Sequence, residues 1–230
     1  MCSHYQAEKR RKQLERMGIV LPPDWEPPPG SMHIYPTQLA PIIRRPPERE
    51  ADSGDEAVPE LELAYAHFGL LPGFAKEVKY GLRTYNARSE TVTTLASFKH
   101  AWAKARHCIV PAQAIYEPDW RSGKFIPTRI TRADDDTLGI AGLWAPWRTP
   151  TGEWTDSFTM LTVNADDHPI FKDLHRPDPK RGPDQQDKRM VVILPRGLYT
   201  AWLDAPMEES MEFMKQFPAG RLLAEAEPNH

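Results

Sequence analysis

The sequence runs to 230 residues and 26.3 kDa, with 40% hydrophobic and 27% charged residues, enough to bury a substantial core in one large domain or two small ones. No apolar run approaches the roughly 20 residues of a membrane-spanning helix. The N-terminus has no apolar signal stretch, and two cysteines, Cys2 and Cys108, cannot build a disulfide framework, so a cytoplasmic protein is expected.

Residues 5–17 are rich in helix formers and stop at Gly18, which predicts a helix. Ten of the 24 prolines lie from Pro22 to Pro59. They turn residues 20–47 into a proline-rich arm that excludes regular helix and central strand and leaves extended arm, polyproline or loop. Residues 48–60 read as a mobile acidic loop. Strand character marks 61–68, and Leu95, Phe98 and Trp102 at helical spacing predict a helix over 93–106. Short strands are predicted at 108–110, 114–116, 125–131, 137–143, 158–164 and 190–194, and helices at 196–203 and at 207–217, the second within a helical C-terminal tail, 204–230. Many short strands with few helices indicate an α+β single domain, with a curled, barrel-like mixed β core and flanking helices.

The formal net charge is −3. Seven acids against one base over 48–62 give a local −6, and six against two over 204–230 give −4, leaving +7 on the remainder. That distribution permits a polyanionic partner without demanding one.

Cys2 carries the most chemical information. It is small enough to permit removal of Met1, which would make it the N-terminal residue, with an amine and a thiol on adjacent carbons. Their ordinary pKa values, about 7.7–8.0 and about 8.5, put reactive forms within reach at neutral pH. A 1,2-aminothiol condenses with an aldehyde through a Schiff base and then closes a five-membered thiazolidine, with the proximity advantage of an intramolecular step. From position alone, a cysteine in a frayed terminus is the ordinary alternative.

Further strings set Cys2 in a pattern. Phe-Gly-Leu-Leu-Pro at 68–72 is followed by Tyr-Asn-Ala-Arg-Ser-Glu-Thr at 85–91 and Cys-Ile-Val-Pro-Ala-Gln-Ala-Ile-Tyr-Glu-Pro-Asp-Trp at 108–120. Ala-Gly-Leu-Trp at 141–144, Phe-Thr-Met-Leu-Thr-Val-Asn-Ala at 158–165, His175, and Lys-Arg-Met-Val-Val-Ile-Leu-Pro at 188–195 complete the set. In this order behind Met1-Cys2, from Cys2 to about residue 203, the chain resembles the SRAP family, the SOS response-associated peptidase-like proteins that process abasic sites in DNA.

The resemblance implies a barrel-like α+β domain whose Cys2 forms a thiazolidine with the ring-opened deoxyribose of an abasic site in single-stranded DNA. The resulting DNA–protein crosslink shields the lesion. It also implies a self-reacting protein of the DNA damage response, with autoproteolytic and abasic-site lyase activity as further expectations. By matching motif positions, the catalytic residues would be Cys2, Asn86, Glu117 and His175, while Arg88, Phe68, Leu70, Trp120, Arg189 and Met190 would line the DNA groove. No cofactor or metal is called for, no membrane is a partner, and a monomer is expected, cytoplasmic and nucleoid-associated when bound to DNA.

Each role has a physical basis. Asn86 offers a donor and an acceptor without charge. Glu117 can take the proton lost on amine attack and return it. His175 titrates near neutrality and can protonate the sugar ring oxygen. Arg88 suits bidentate phosphate contact, and Trp120, more than Trp144 or Trp147, suits stacking with an unpaired base.

The chain departs from the family pattern at four places. Ser3 and His4 replace the usual Gly-Arg after the cysteine, and Phe68 stands where Trp is common. Pro118 and Asp119 separate Glu117 from Trp120. Thirteen residues, Arg176 to Lys188, intervene between His175 and Arg189-Met190, where the family commonly reads His-Asp-Arg-Met. His168 is therefore a rival for the catalytic imidazole. Two other functions stay open: an N-terminal-nucleophile cysteine peptidase or amidohydrolase using Cys2, and a non-catalytic single-stranded DNA-binding protein.

Overall fold

The structure is a computed structural model that describes residues 2–29, 32–47, 60–182 and 185–227. Met1 and residues 48–59, nearly all of the expected acidic loop, lie outside them. In chain order the elements are β1 (His4–Ala7), α1 (Arg11–Arg16), β2 (His33–Ile34), β3 (Leu39–Arg44), β4 (Glu62–Phe68), β5 (Asn86–Arg88), α2 (Lys99–Ala103), β6 (His107–Asp119), β7 (Ile126–Arg132), β8 (Leu138–Arg148), β9 (Trp154–Asn164), β10 (Arg189–Val191), β11 (Ile193–Leu194), α3 (Tyr199–Asp204) and β12 (Leu222–Ala226).

The expected barrel is present. Five strands close a ring in the order β8, β9, β4, β3, β6 and back to β8. The ring is mixed because β4 runs parallel to β9 while its other contacts are antiparallel. The apolar core packed on both faces of these strands includes Ile42, Ile43, Phe68, Ile109, Leu143, Phe158 and Leu161, each with essentially no exposure. No helix among the described residues is long and apolar enough to cross a membrane.

Several local expectations are corrected. The helix predicted from residue 5 begins only at Arg11, because Tyr5 and Ala7 alternate into the core as a strand does. Between β1 and α1, the buried Glu8 carboxylate accepts bonds from the N–H groups of Lys9 and Arg10, the Arg10 guanidinium and the Thr137 hydroxyl. The proline-rich arm does hold a central strand, β3, paired along its length with β4. Phe68 donates to the Gln38 carbonyl, and by alternation Pro41 turns its nitrogen away from β4, toward β6. There the Ile43–Ile109 register would set Pro41 opposite Pro111. Neither has an N–H, so the pairing stops after one residue pair.

The two short strands expected at 108–116 are one long strand, β6. The run at 190–194 is instead split at Val192. Its N–H donates to Leu161 and its carbonyl accepts from Ala141, so β10 pairs β9 and β11 pairs β8. The helix expected over 93–106 shrinks to α2, and Leu95 is exposed. The helical tail expected from 204 is corrected as well. Pro206 and Pro218 interrupt it, leaving short 3-10 turns and then β12, which pairs antiparallel with β7.

One glycine sets the route to β5. Gly69 has φ +120°, and a Cβ there would collide with the backbone of Gly81. The excursion from 70 to 85 thereby folds tightly onto itself and returns to lay β5 parallel to β9, with Asn86 at its start.

Candidate functional site

Three segments far apart in sequence meet around Cys2. Cys2 leads into β1, which pairs antiparallel with β6 through His4 and Tyr116. Its thiol is buried and lies 3.4 Å from the His4 carbonyl, to which it can donate. Asn86 is held by the parallel pairing of β5 on β9, and its Nδ2 donates to the Cys2 carbonyl at 2.8 Å. Glu117 projects from β6 with a side chain only 1% exposed.

His175 arrives from the connection after β9 and is tied down at three points. Leu174 bridges to Asp119, the His175 N–H donates to the Pro118 carbonyl at 2.6 Å, and the Lys188 ammonium donates to the carbonyls of Leu174 and His175 at 2.6 and 2.8 Å. His175 adopts φ +64°, a left-handed conformation uncommon outside glycine. The result is an imidazole Nε2 3.2 Å from Glu117 Oε2.

Burial dominates the electrostatics. It pushes the Cys2 thiol well above its ordinary range, and the Glu117 charge adds to the effect. It holds His175 below its ordinary value, with Glu117 pulling the other way, and it lowers Lys188. A buried thiol thus lies in the field of a carboxylate that contacts an imidazole, an arrangement able to pass protons on and off an attacking group.

The rival imidazole is structural. His168 is buried, its Nε2 lies 2.9 Å from the Phe217 carbonyl, and its Nδ1 accepts the N–H groups of Ile170 and Phe171. Lys188 escaped the sequence reading, because nothing in its neighbourhood marks it as a clamp on His175.

The expected DNA-contacting residues divide. Phe68, Leu70 and Met190 are core residues with at most 1% exposure, so their assignment to a DNA groove is corrected. Phe68 is enclosed by Tyr5, Tyr85 and Phe158. Arg189 is corrected too. It is 3% exposed and held bidentately by Glu90 at 2.7 and 2.8 Å, with a further bond to the Thr162 carbonyl.

Arg88 does reach the surface, where it pairs with Asp187 at 2.6 Å. Trp120 lines a cleft of about 460 Å³ with Arg121, Lys172 and Arg181, and the Arg176 guanidinium lies 5.5 Å from the centre of its ring. Trp144 and Trp147 are buried: Arg44 lies over the first, and the second donates to the Ala75 carbonyl. Among the described residues, no group of three or more His, Cys, Asp or Glu gathers as metal ligands would.

A cluster unforeseen from the sequence adjoins the site. His4 is stacked between Tyr35 and Tyr116 and lies 2.8 Å from His33, beside a cleft of about 320 Å³ that reaches Glu117.

Comparison with known proteins gives the chain's relatives. The model of the family described as SOS response associated peptidase (SRAP) matches residues 1–226. The abasic site processing protein YoaM of Bacillus subtilis is 31% identical over 156 residues, 66% of this chain and 61% of that protein. The abasic site processing protein HMCES of Rattus norvegicus is 27% identical over 88% of this chain and 62% of its own length. The chain thus spans about three fifths of the length of these relatives. A solved structure of a protein from Bordetella bronchiseptica superimposes with TM-score 0.80 and 44% identity, covering 98% of this chain and 99% of that one. A second, from Bacteroides thetaiotaomicron, shares the fold at TM-score 0.67 and 21% identity, covering 99% of this chain and 93% of that one.

Proposed function

Because the chain belongs to the SRAP family, the SOS response associated peptidases, we propose that it processes abasic sites in single-stranded DNA by forming a covalent thiazolidine crosslink through Cys2. The observation that carries this reading is the convergence on Cys2. Asn86 holds its carbonyl at 2.8 Å, and the Glu117 charge that acts on its thiol belongs to a carboxylate in contact with His175. Relatives named as abasic site processing proteins support the substrate class.

In the proposed sequence, loss of Met1 frees the Cys2 amine. His175 gives a proton to the sugar ring oxygen while the anomeric hydroxyl loses its own to solvent, so the ring C–O bond breaks and the deoxyribose opens to its aldehyde. The amine adds to the aldehyde carbon, Glu117 takes the amine proton, and one water leaves as the Schiff base forms. The sulfur then adds to the same carbon while its proton passes to the nitrogen. Overall, aldehyde and aminothiol give thiazolidine and one water. Asn86 orients the terminus throughout. Glu117 and His175 exchange protons across a contact inside the protein, where a fixed pair is worth more than in water.

The two routes differ in which Cys2 group attacks first, since a peptidase needs a free thiolate. In the ring mechanism the amine attacks first, and the sulfur acts intramolecularly.

The test is incubation with oligonucleotides that carry an abasic site or an intact base, resolved under denaturing conditions. A stable shifted band only with the abasic strand is expected. It should vanish for Cys2→Ser and for a protein with one extra residue ahead of Cys2. An undiminished band from the blocked protein overturns the ring mechanism. Hydrolysis of small amides without a band would return the peptidase reading.

A further inference from the structure

The segment that separates His175 from β10 ends in an unusual arrangement. The Asp187 carboxylate meets three arginines from three parts of the fold: Arg88 of β5 at 2.6 Å, Arg181 at 3.5 Å and Arg189 of β10 at 3.6 Å. Arg189 is already committed to Glu90 and the Thr162 carbonyl, so it supplies field from behind. Arg88 and Arg181 keep 42% and 47% of their side chains exposed and present donors to solvent.

Asp187 itself is built into position. It has φ +58°, a left-handed conformation that aspartate tolerates better than most residues. Its N–H and that of Lys188 both donate to the Asp166 carboxylate, at 3.2 and 2.7 Å. The cleft it occupies, about 310 Å³, is lined by His175, and with Arg176 and Lys188 it sets five cationic side chains against two acidic ones.

A carboxylate and a phosphodiester both carry a single negative charge on paired oxygens, and guanidinium groups bind either one bidentately. We propose that Arg88 and Arg181, backed by Arg189, form a binding site for a backbone phosphate of single-stranded DNA, and that Asp187 fills this site as an internal stand-in until the phosphate displaces it. The inference rests on the reading of the protein as a single-stranded DNA binder and locates one phosphate beside the proposed catalytic imidazole. Because Asp187 is tethered, it competes at a high effective concentration. Removing its charge should therefore strengthen binding, the reverse of what a merely structural ion pair would do.

The experiment uses the full chain and a dye-labelled single-stranded oligonucleotide with intact bases, with anisotropy titrations across a salt series. Asp187→Ala and Asp187→Asn should each bind several-fold tighter than the wild type. The slope of log affinity against log salt should steepen by about 0.7 for each additional phosphate that the arginines neutralise. Adding Arg181→Ala to either variant should bring both quantities back. Affinity unchanged or lowered in both variants overturns the proposal, and so does loss of the fold in both, since the carboxylate would then be holding the structure. If one variant fails to fold, the other decides. An intact strand offers no aldehyde, so this result is independent of crosslinking. A missing abasic adduct together with tighter variants would sink the covalent reading and leave the phosphate site standing.

Discussion

The imidazole of His175 stands 3.2 Å from the carboxylate of Glu117, and the two side chains are 18% and 1% exposed. A proton shared at that depth can move in either direction along the reaction. Glu117→Gln keeps the shape and removes the exchangeable proton. It should slow adduct formation by about 10²–10⁴-fold and slow reversal as well. Timed formation on an abasic oligonucleotide, and release into excess competitor, check both directions. Wild-type rates in both would remove Glu117 from the proton path.

The two histidines make opposite predictions. His175→Ala should slow the adduct and abolish the pH inflection that burial sets below the ordinary 6.5. His168→Ala should leave the rate intact but cost about 1–3 kcal/mol of stability, because it strips partners from the Phe217 carbonyl and from two backbone N–H groups. Rate profiles against pH, paired with denaturant titrations, separate the two. A slow His168→Ala variant of normal stability would reassign the imidazole.

Phe68 should behave as a core residue. Truncation to Ala removes a fully buried ring packed on Tyr5, Tyr85 and Phe158, which costs about 3–5 kcal/mol. Equilibrium unfolding measures this directly. A variant of undiminished stability that binds DNA poorly would restore Phe68 to the DNA-contacting surface.

Acid should weaken the fold through His107. Burial lowers its pKa to about 4. The neutral ring stacks on Trp202 at 3.9 Å and lies 3.0 Å from the Ser210 hydroxyl. The folded protein therefore takes up this proton less readily than the unfolded chain. The stabilisation is present above the ordinary value of 6.5 and is lost as pH falls from there toward 4, on the order of 3 kcal/mol. His175, also lowered, acts in the same direction. Unfolding curves between pH 7.5 and 4.5 should converge for wild type and His107→Gln as the pH falls. Parallel curves would mean that His107 is not the group responsible.

What was readable from the sequence alone follows from what local chemistry can encode. The apolar runs behind β4, β7, β8 and β9 announced strands because alternation and β-branched residues act over a few neighbours. Cys2 was legible as a candidate because, once Met1 is removed, its amine and thiol stand on adjacent carbons. Asn86, Glu117 and His175 were reached through ordered motifs, and the bond from Asn86 to Cys2 and the contact between Glu117 and His175 were invisible until the strands paired. Burial was decided by tertiary packing. Phe68, Leu70, Arg189 and Met190 have the composition of ligand contacts, yet packing turned three into core and paired Arg189 with Glu90. The helix predicted from residue 5 failed for the same reason: β6 offered Tyr5 and Ala7 a ladder, and tertiary pairing outweighs helix propensities of a few tenths of a kcal/mol per residue. Pro41 sits in a central strand because the residue it would face is Pro111. The different settings of His168 and His175 also belonged to the tertiary structure. The two lie in one loop and share the same chemistry, and their surroundings differ only where the Phe217 carbonyl meets one and Glu117 meets the other.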